Sequence, residues 1–73
     1  MDAKQVGEKI RKLRVDKGVS RHELAEAINV AYTTVSMYEN GERIPRDQIK
    51  VAISNFFGVT VESLFFENST HEM

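Results

Sequence analysis

Residues Arg21–Asn40 read RHELAEAINVAYTTVSMYEN, and the fold turns on them. Two short helical patterns flank a tight turn at Asn29-Val30. In the first, from about Arg21 to Ile28, the residues Leu24, Ala25 and Ile28 share one face at helical spacing. Ser20 precedes it and Glu23 follows three residues later, the pattern of a capping box. Asn29 is one of the few residue types besides glycine that tolerate a positive φ. In the second pattern, from about Ala31 to Glu39, Val35 and Tyr38 turn inward. Helices joined by so short a turn cross steeply, so a small residue such as Ala25 is needed where their backbones approach. Tyr32, Thr33, Ser36, Met37 and Asn40 then remain outward, a largely neutral face. A helix with a free face, held at a fixed angle on a basic scaffold, has the geometry to enter a major groove.

Outward from this unit the chain stays helical. A stretch from about Ala3 to Lys17 places Val6, Ile10 and Leu13 on one apolar stripe. Another, from about Arg46 to Phe57, aligns Ile49, Ile53 and Phe56/Phe57. Thr60 can cap a last short helix over about Val61 to Phe65. Gly18, Gly41 and Gly58 each follow a helical pattern, where a left-handed residue ends a helix. No stretch alternates with period two, so strands are not supported. The expected fold is all-α, five short helices in residues 1–66, followed by a polar and disordered tail at 67–73.

Size and charge narrow the reading. Seventy-three residues make one small domain, which buries only about 60% of the surface its unfolded chain exposes. Without cysteine there is no disulfide and no thiolate zinc site. No apolar run approaches the roughly 18 residues of a membrane span. Asp2, Lys4, Glu8 and Lys9 do not fit a secretory signal, so a cytoplasmic location is expected. The net charge of −1 hides an asymmetry, because all ten Lys and Arg lie in residues 1–50. Residues 1–21 carry seven bases against three acids, whereas residues 51–73 carry three acids and no Lys or Arg. A polyanion-binding face would therefore be local, and the alternative is a solvated helix face with an acidic tail.

Several motifs resemble one known family when taken together and in order. Gly7-Glu8-Lys9-Ile10-Arg11-Lys12-Leu13-Arg14, Lys17-Gly18-Val19-Ser20, Glu23-Leu24-Ala25 and Val35-Ser36-Met37-Tyr38-Glu39-Asn40-Gly41 are similar to the Cro and lambda-repressor-like helix-turn-helix family of bacterial and phage regulators. Arg43-Ile44-Pro45-Arg46-Asp47 and Phe57 to Phe65 extend the likeness to about residues 6–66. The resemblance implies a lambda-repressor-like five-helix domain and a sequence-preferring regulator, in most cases a repressor. Such a regulator binds an inverted-repeat operator in double-stranded DNA as a homodimer, with its third helix in the major groove. By position, Arg21, Thr34, Asn40 and Arg43 match phosphate-contacting residues, and Tyr32, Thr33, Ser36 and Met37 match base-facing ones. Arg14 and Glu39 match a salt bridge that ties the first helix to the third. Asn29 stands where the family usually has glycine, and Ala31 where a Ser or Thr cap is usual, a loss of about 1 kcal/mol.

The third helix carries no Arg, Gln or Lys between Ala31 and Glu39, so the strongest bidentate base contacts are absent. Readout then rests on thymine methyls, hydroxyls and DNA shape. The same neutral face supports an alternative, a protein-interaction module that docks a partner through its third helix. Tyr32 and Met37 are either base contacts or ordinary exposed side chains. Phe65 and Phe66 are either core or, with Val61, the seam of a homodimer. His22 and Glu26 have the spacing of two metal ligands but no third, so no metal is expected. The serines lack partners at catalytic spacing and there is no glycine-rich phosphate loop, so neither an enzyme nor a cofactor is expected. No small-molecule ligand is evident.

Overall fold

The computed structural model describes residues 1–66; the tail expected at 67–73 lies outside the described residues. Five helices follow one another: α1 (Ala3–Lys17), α2 (Arg21–Ile28), α3 (Tyr32–Glu39), α4 (Asp47–Phe57) and α5 (Glu62–Phe66). Among the described residues there is no strand. The helix ends follow local chemistry. Asp2 accepts a hydrogen bond from the Lys4 amide at 3.0 Å and so caps α1. Ser20 Oγ accepts from the Glu23 amide at 3.0 Å, and Glu23 Oε1 accepts from the Ser20 amide at 2.8 Å, completing the capping box. Asn29 closes α2 at φ 61° in the left-handed region. Ala31 precedes α3 without a side-chain cap.

With eight residues each, α2 and α3 are shorter than the roughly 12–15 residues an isolated helix needs in water. Packing holds them. Val6 and Ile10 of α1 meet Leu24, Ala25 and Ile28 of α2, Val35 and Tyr38 of α3, Ile53 of α4, and Leu64 and Phe65 of α5. Each large side chain among these adds about 1.5–3 kcal/mol by leaving water.

The last helix departs from expectation in pitch and placement. It is wound as a π-helix over Glu62–Phe66, not as an α-helix over 61–65. Thr60 still caps it, accepting from the Ser63 amide at 3.0 Å. The wider turn brings consecutive side chains closer to one direction, and the neighbours Leu64 and Phe65 are both buried. Phe65 therefore belongs to the core, at 2% exposure, and is withdrawn from the dimer seam for which it was a candidate; Phe66 is 56% exposed. Exposed apolar side chains are also not confined to this end, since Val15, Tyr32, Ile44 and Val51 lie on the surface too.

Helix α1 meets the end of α3 backbone to backbone. A Cβ on Gly7 would fall on the Tyr38 carbonyl oxygen and lie 2.6 Å from that of Glu39. Two turns along the same face of α1 stands Arg14. Its Nε donates to Glu39 Oε2 at 2.7 Å, its Nη2 to Glu39 Oε1 at 3.2 Å, and its Nη1 to the Val19 carbonyl at 2.9 Å. Arg21 Nε donates to the same Glu39 Oε1 at 3.0 Å. One carboxylate, 1% exposed, thus joins α1, α2 and α3, with Arg14 at 11% and Arg21 at 35% exposure.

Urea unfolding reads the consequences for stability. Gly7→Ala should cost at least about 1–3 kcal/mol, because backbone rather than a flexible side chain must yield. Glu39→Gln should cost about 3–5 kcal/mol, since it leaves the buried Arg14 without its carboxylate, and Arg14→Met should cost less, since Arg21 still donates to Glu39. Arg21→Ala, at a half-exposed position, should cost about 1 kcal/mol or less. A double-mutant cycle on Arg14 and Glu39 should show strong coupling, and mild additive effects would contradict it.

Candidate nucleic-acid interface

The face expected to read bases is built on α3. Tyr32 and Thr33 on its first turn are exposed, whereas Thr34, Ser36 and Met37 are half-buried and offer only their outer atoms. The inner side is fixed by Val35 and Tyr38, both buried. After α3, Asn40 and Arg43 are exposed, and so is Arg46 at the start of α4. The Glu42 amide donates to the Met37 carbonyl at 2.9 Å, which folds this segment back over the end of the helix.

Arg21, matched to a phosphate contact, has a second attachment. Its Nε is bonded to Glu39, so the side chain is held against the ion cluster, and its half-exposed remainder faces solvent. The Glu39 carboxylate raises the Arg21 guanidinium above its ordinary pKa; burial opposes this, and the Tyr32 hydroxyl adds to the rise. A raised pKa on a base means that the contribution is present below the unfolded value, and for arginine that covers every pH below about 12. Arg21 is a fixed positive charge at the N-terminal end of α2, where the helix dipole is positive as well.

The structure thus brings Arg14, Glu39 and Arg21 into one connected group. It leaves Asn40 and Arg43 on the adjoining loop. Val61 and Phe66 sit at the far end of the chain, where Lys50 Nζ lies 5.1 Å from the Phe66 ring centroid. His22 was not among the expected interface residues, yet its ring stacks on Tyr32. Ten positions separate the two in sequence, and only the packing of α2 against α3 reveals the contact.

The chain is similar to known proteins in sequence and in fold. The helix-turn-helix family profile matches residues 10–64. A helix-turn-helix-type transcriptional activator, BcrR of Enterococcus faecalis, is 35% identical over 60 residues, covering 82% of this chain and 29% of that protein. The cryptic phage CTXphi transcriptional repressor RstR of Vibrio cholerae is 32% identical over 63 residues, covering 86% of this chain and 57% of that protein. The chain thus spans less than two thirds of the length of either relative. Among solved structures, the clp gene regulator ClgR of Corynebacterium glutamicum superposes with a TM-score of 0.81 at 28% identity, covering 88% of this chain and 68% of that one. The restriction-modification controller protein C.AhdI of Aeromonas hydrophila gives 0.81 at 25% identity, covering 88% and 97%. The DNA-binding domain of BldD gives 0.72 at 34% identity, covering 86% and 92%. Five helices without a strand among the described residues, an α2–turn–α3 unit locked by Glu39, and these matches place the chain in the XRE-type helix-turn-helix family of transcriptional regulators.

Proposed function

We propose that this protein binds double-stranded DNA with sequence preference, with α3 in the major groove, and that it does so as a homodimer on an inverted repeat. The observation that carries this reading is the outer face of α3: a short helix clamped by a buried ion cluster, presenting ring, hydroxyl and thioether groups, and followed in the chain by exposed Asn40, Arg43 and Arg46. Arg21, Thr34, Asn40 and Arg43 hold phosphates, and Tyr32, Thr33, Ser36 and Met37 meet base edges. Repression is favoured by the relative RstR, of which this chain spans 57%, over the activator BcrR, of which it spans 29%. No helix among the described residues is long and apolar enough to cross a membrane, and we place the protein with its DNA in the cytoplasm.

A second copy doubles the contacts, which matters for a helix without a bidentate base-reading side chain. Val61 and the exposed Phe66 form the seam, in a stretch with no Lys or Arg from 51 onward that keeps away from phosphate. Such a seam sets the two α3 helices about 34–36 Å apart, one turn of DNA.

Fluorescence anisotropy with a duplex selected from a randomised pool, and with a scrambled duplex, tests the DNA-binding reading. Arg43→Ala should weaken both about equally and lower the slope of log K against log salt by about one. Met37→Ala should cost about 1–3 kcal/mol on the selected duplex and little on the scrambled one. No binding to any duplex at low salt would favour the protein-docking alternative. For the seam, Phe66→Lys should sediment as a folded monomer with much weaker binding to the selected duplex; an unchanged dimer would move the seam elsewhere. Phe65→Lys is no test of it, because that side chain fills the core.

A further inference from the structure

His22 stands exposed at the second position of α2, and its ring lies on that of Tyr32 with centroids 4.1 Å apart and planes 18° from parallel. Near-parallel rings at this separation attract beyond the area that they bury. Tyr32 is the first residue of α3 and is 39% exposed, in the turn that Ala31 leaves without a side-chain cap. An exposed side chain in an uncapped first turn is free to sample rotamers, and fixing it on a ligand costs entropy. Here one contact restrains it before any ligand arrives: His22 covers one face of the ring.

We infer that His22 is a positioning residue for sequence readout: its ring holds Tyr32 in one orientation at the leading end of α3, and so sets the sequence preference of the interface rather than its hold on phosphate. The inference rests on the DNA-binding reading above. In that reading Tyr32 supplies apolar ring surface and a hydroxyl where no longer base-reading side chain exists, so its orientation weighs more than on a helix rich in Arg or Gln. The stack needs a flat ring at position 22. It does not need a charge or a nitrogen.

The test compares wild type, His22→Ala, His22→Phe, Tyr32→Ala and the double variant His22→Ala/Tyr32→Ala. Each is titrated by anisotropy against a duplex that the wild type selects from a randomised pool and against a scrambled duplex of the same composition. His22→Ala should lower the ratio of selected to scrambled affinity about three- to tenfold, with scrambled binding little changed. His22→Phe should restore the ratio, because it keeps the ring and removes any contact a histidine makes to phosphate. Tyr32→Ala should lower the ratio at least as far, and the double variant should lose no more than Tyr32→Ala. If His22→Ala weakens both duplexes alike and phenylalanine does not rescue, His22 is a phosphate ligand; the inference falls and DNA binding stands. An unchanged ratio in His22→Ala, or in Tyr32→Ala, also overturns it. Wild type that binds no duplex at low salt overturns the DNA-binding reading and this inference together. Thermal melts of each variant check folding. Should His22→Ala melt early, the Tyr32→Ala and His22→Phe arms decide: a ratio lost in the first and kept in the second supports the stack, and any other pattern rejects it.

Discussion

The Glu39 carboxylate is the constraint on which the rest of the structure depends. It is buried at the end of an eight-residue helix that could not persist alone, and it accepts from arginines on two other helices. Arg14 supplies a two-pronged grip and spends its third nitrogen on the Val19 carbonyl, which fixes the α1–α2 connection as well. Such a cluster does little for net stability compared with apolar side chains of the same size. What it adds is geometry. Hydrophobic contacts alone allow a short helix to slide or roll, whereas a bidentate ion pair has one register. The Gly7 contact acts in the same direction, since backbones that touch leave no room for a different approach.

The outer face of α3 has no Arg, Gln or Lys, and Ser36 and Met37 on it are partly covered. In the proposed DNA-binding reading such a helix contributes shape and apolar contact, and both lose value quickly when a side chain wanders. Arg21 belongs to the structural cluster through Glu39 and stays partly open to solvent. No positive charge lies on the outer face of α3; exposed Arg43 and Arg46 follow the helix in the chain, and in the proposed reading they serve phosphate without competing for base edges. Along the chain the charges are segregated, with every Lys and Arg before residue 51 and only acids after it.

The sequence by itself determined the helices and their order, because each boundary is written in neighbouring residues. Ser20 with Glu23 opens α2, Asn29 closes it, and the spacing of Leu24, Ala25, Ile28, Val35 and Tyr38 says which faces go inward. The partnership of Arg14 and Glu39 was legible only through family resemblance, since 25 positions separate them and nothing local joins them. Tertiary structure alone decided three further points. Arg21 shares the same carboxylate as Arg14. Phe65 went to the core and Phe66 to solvent, in a last helix that winds with more residues per turn than α-helical periodicity assumes. His22 met Tyr32 through the packing of α2 against α3. Periodicity reports which side of a helix is apolar; it carries no distance between two helices. Contacts between side chains far apart in sequence depend on that distance, and only the packed core sets it.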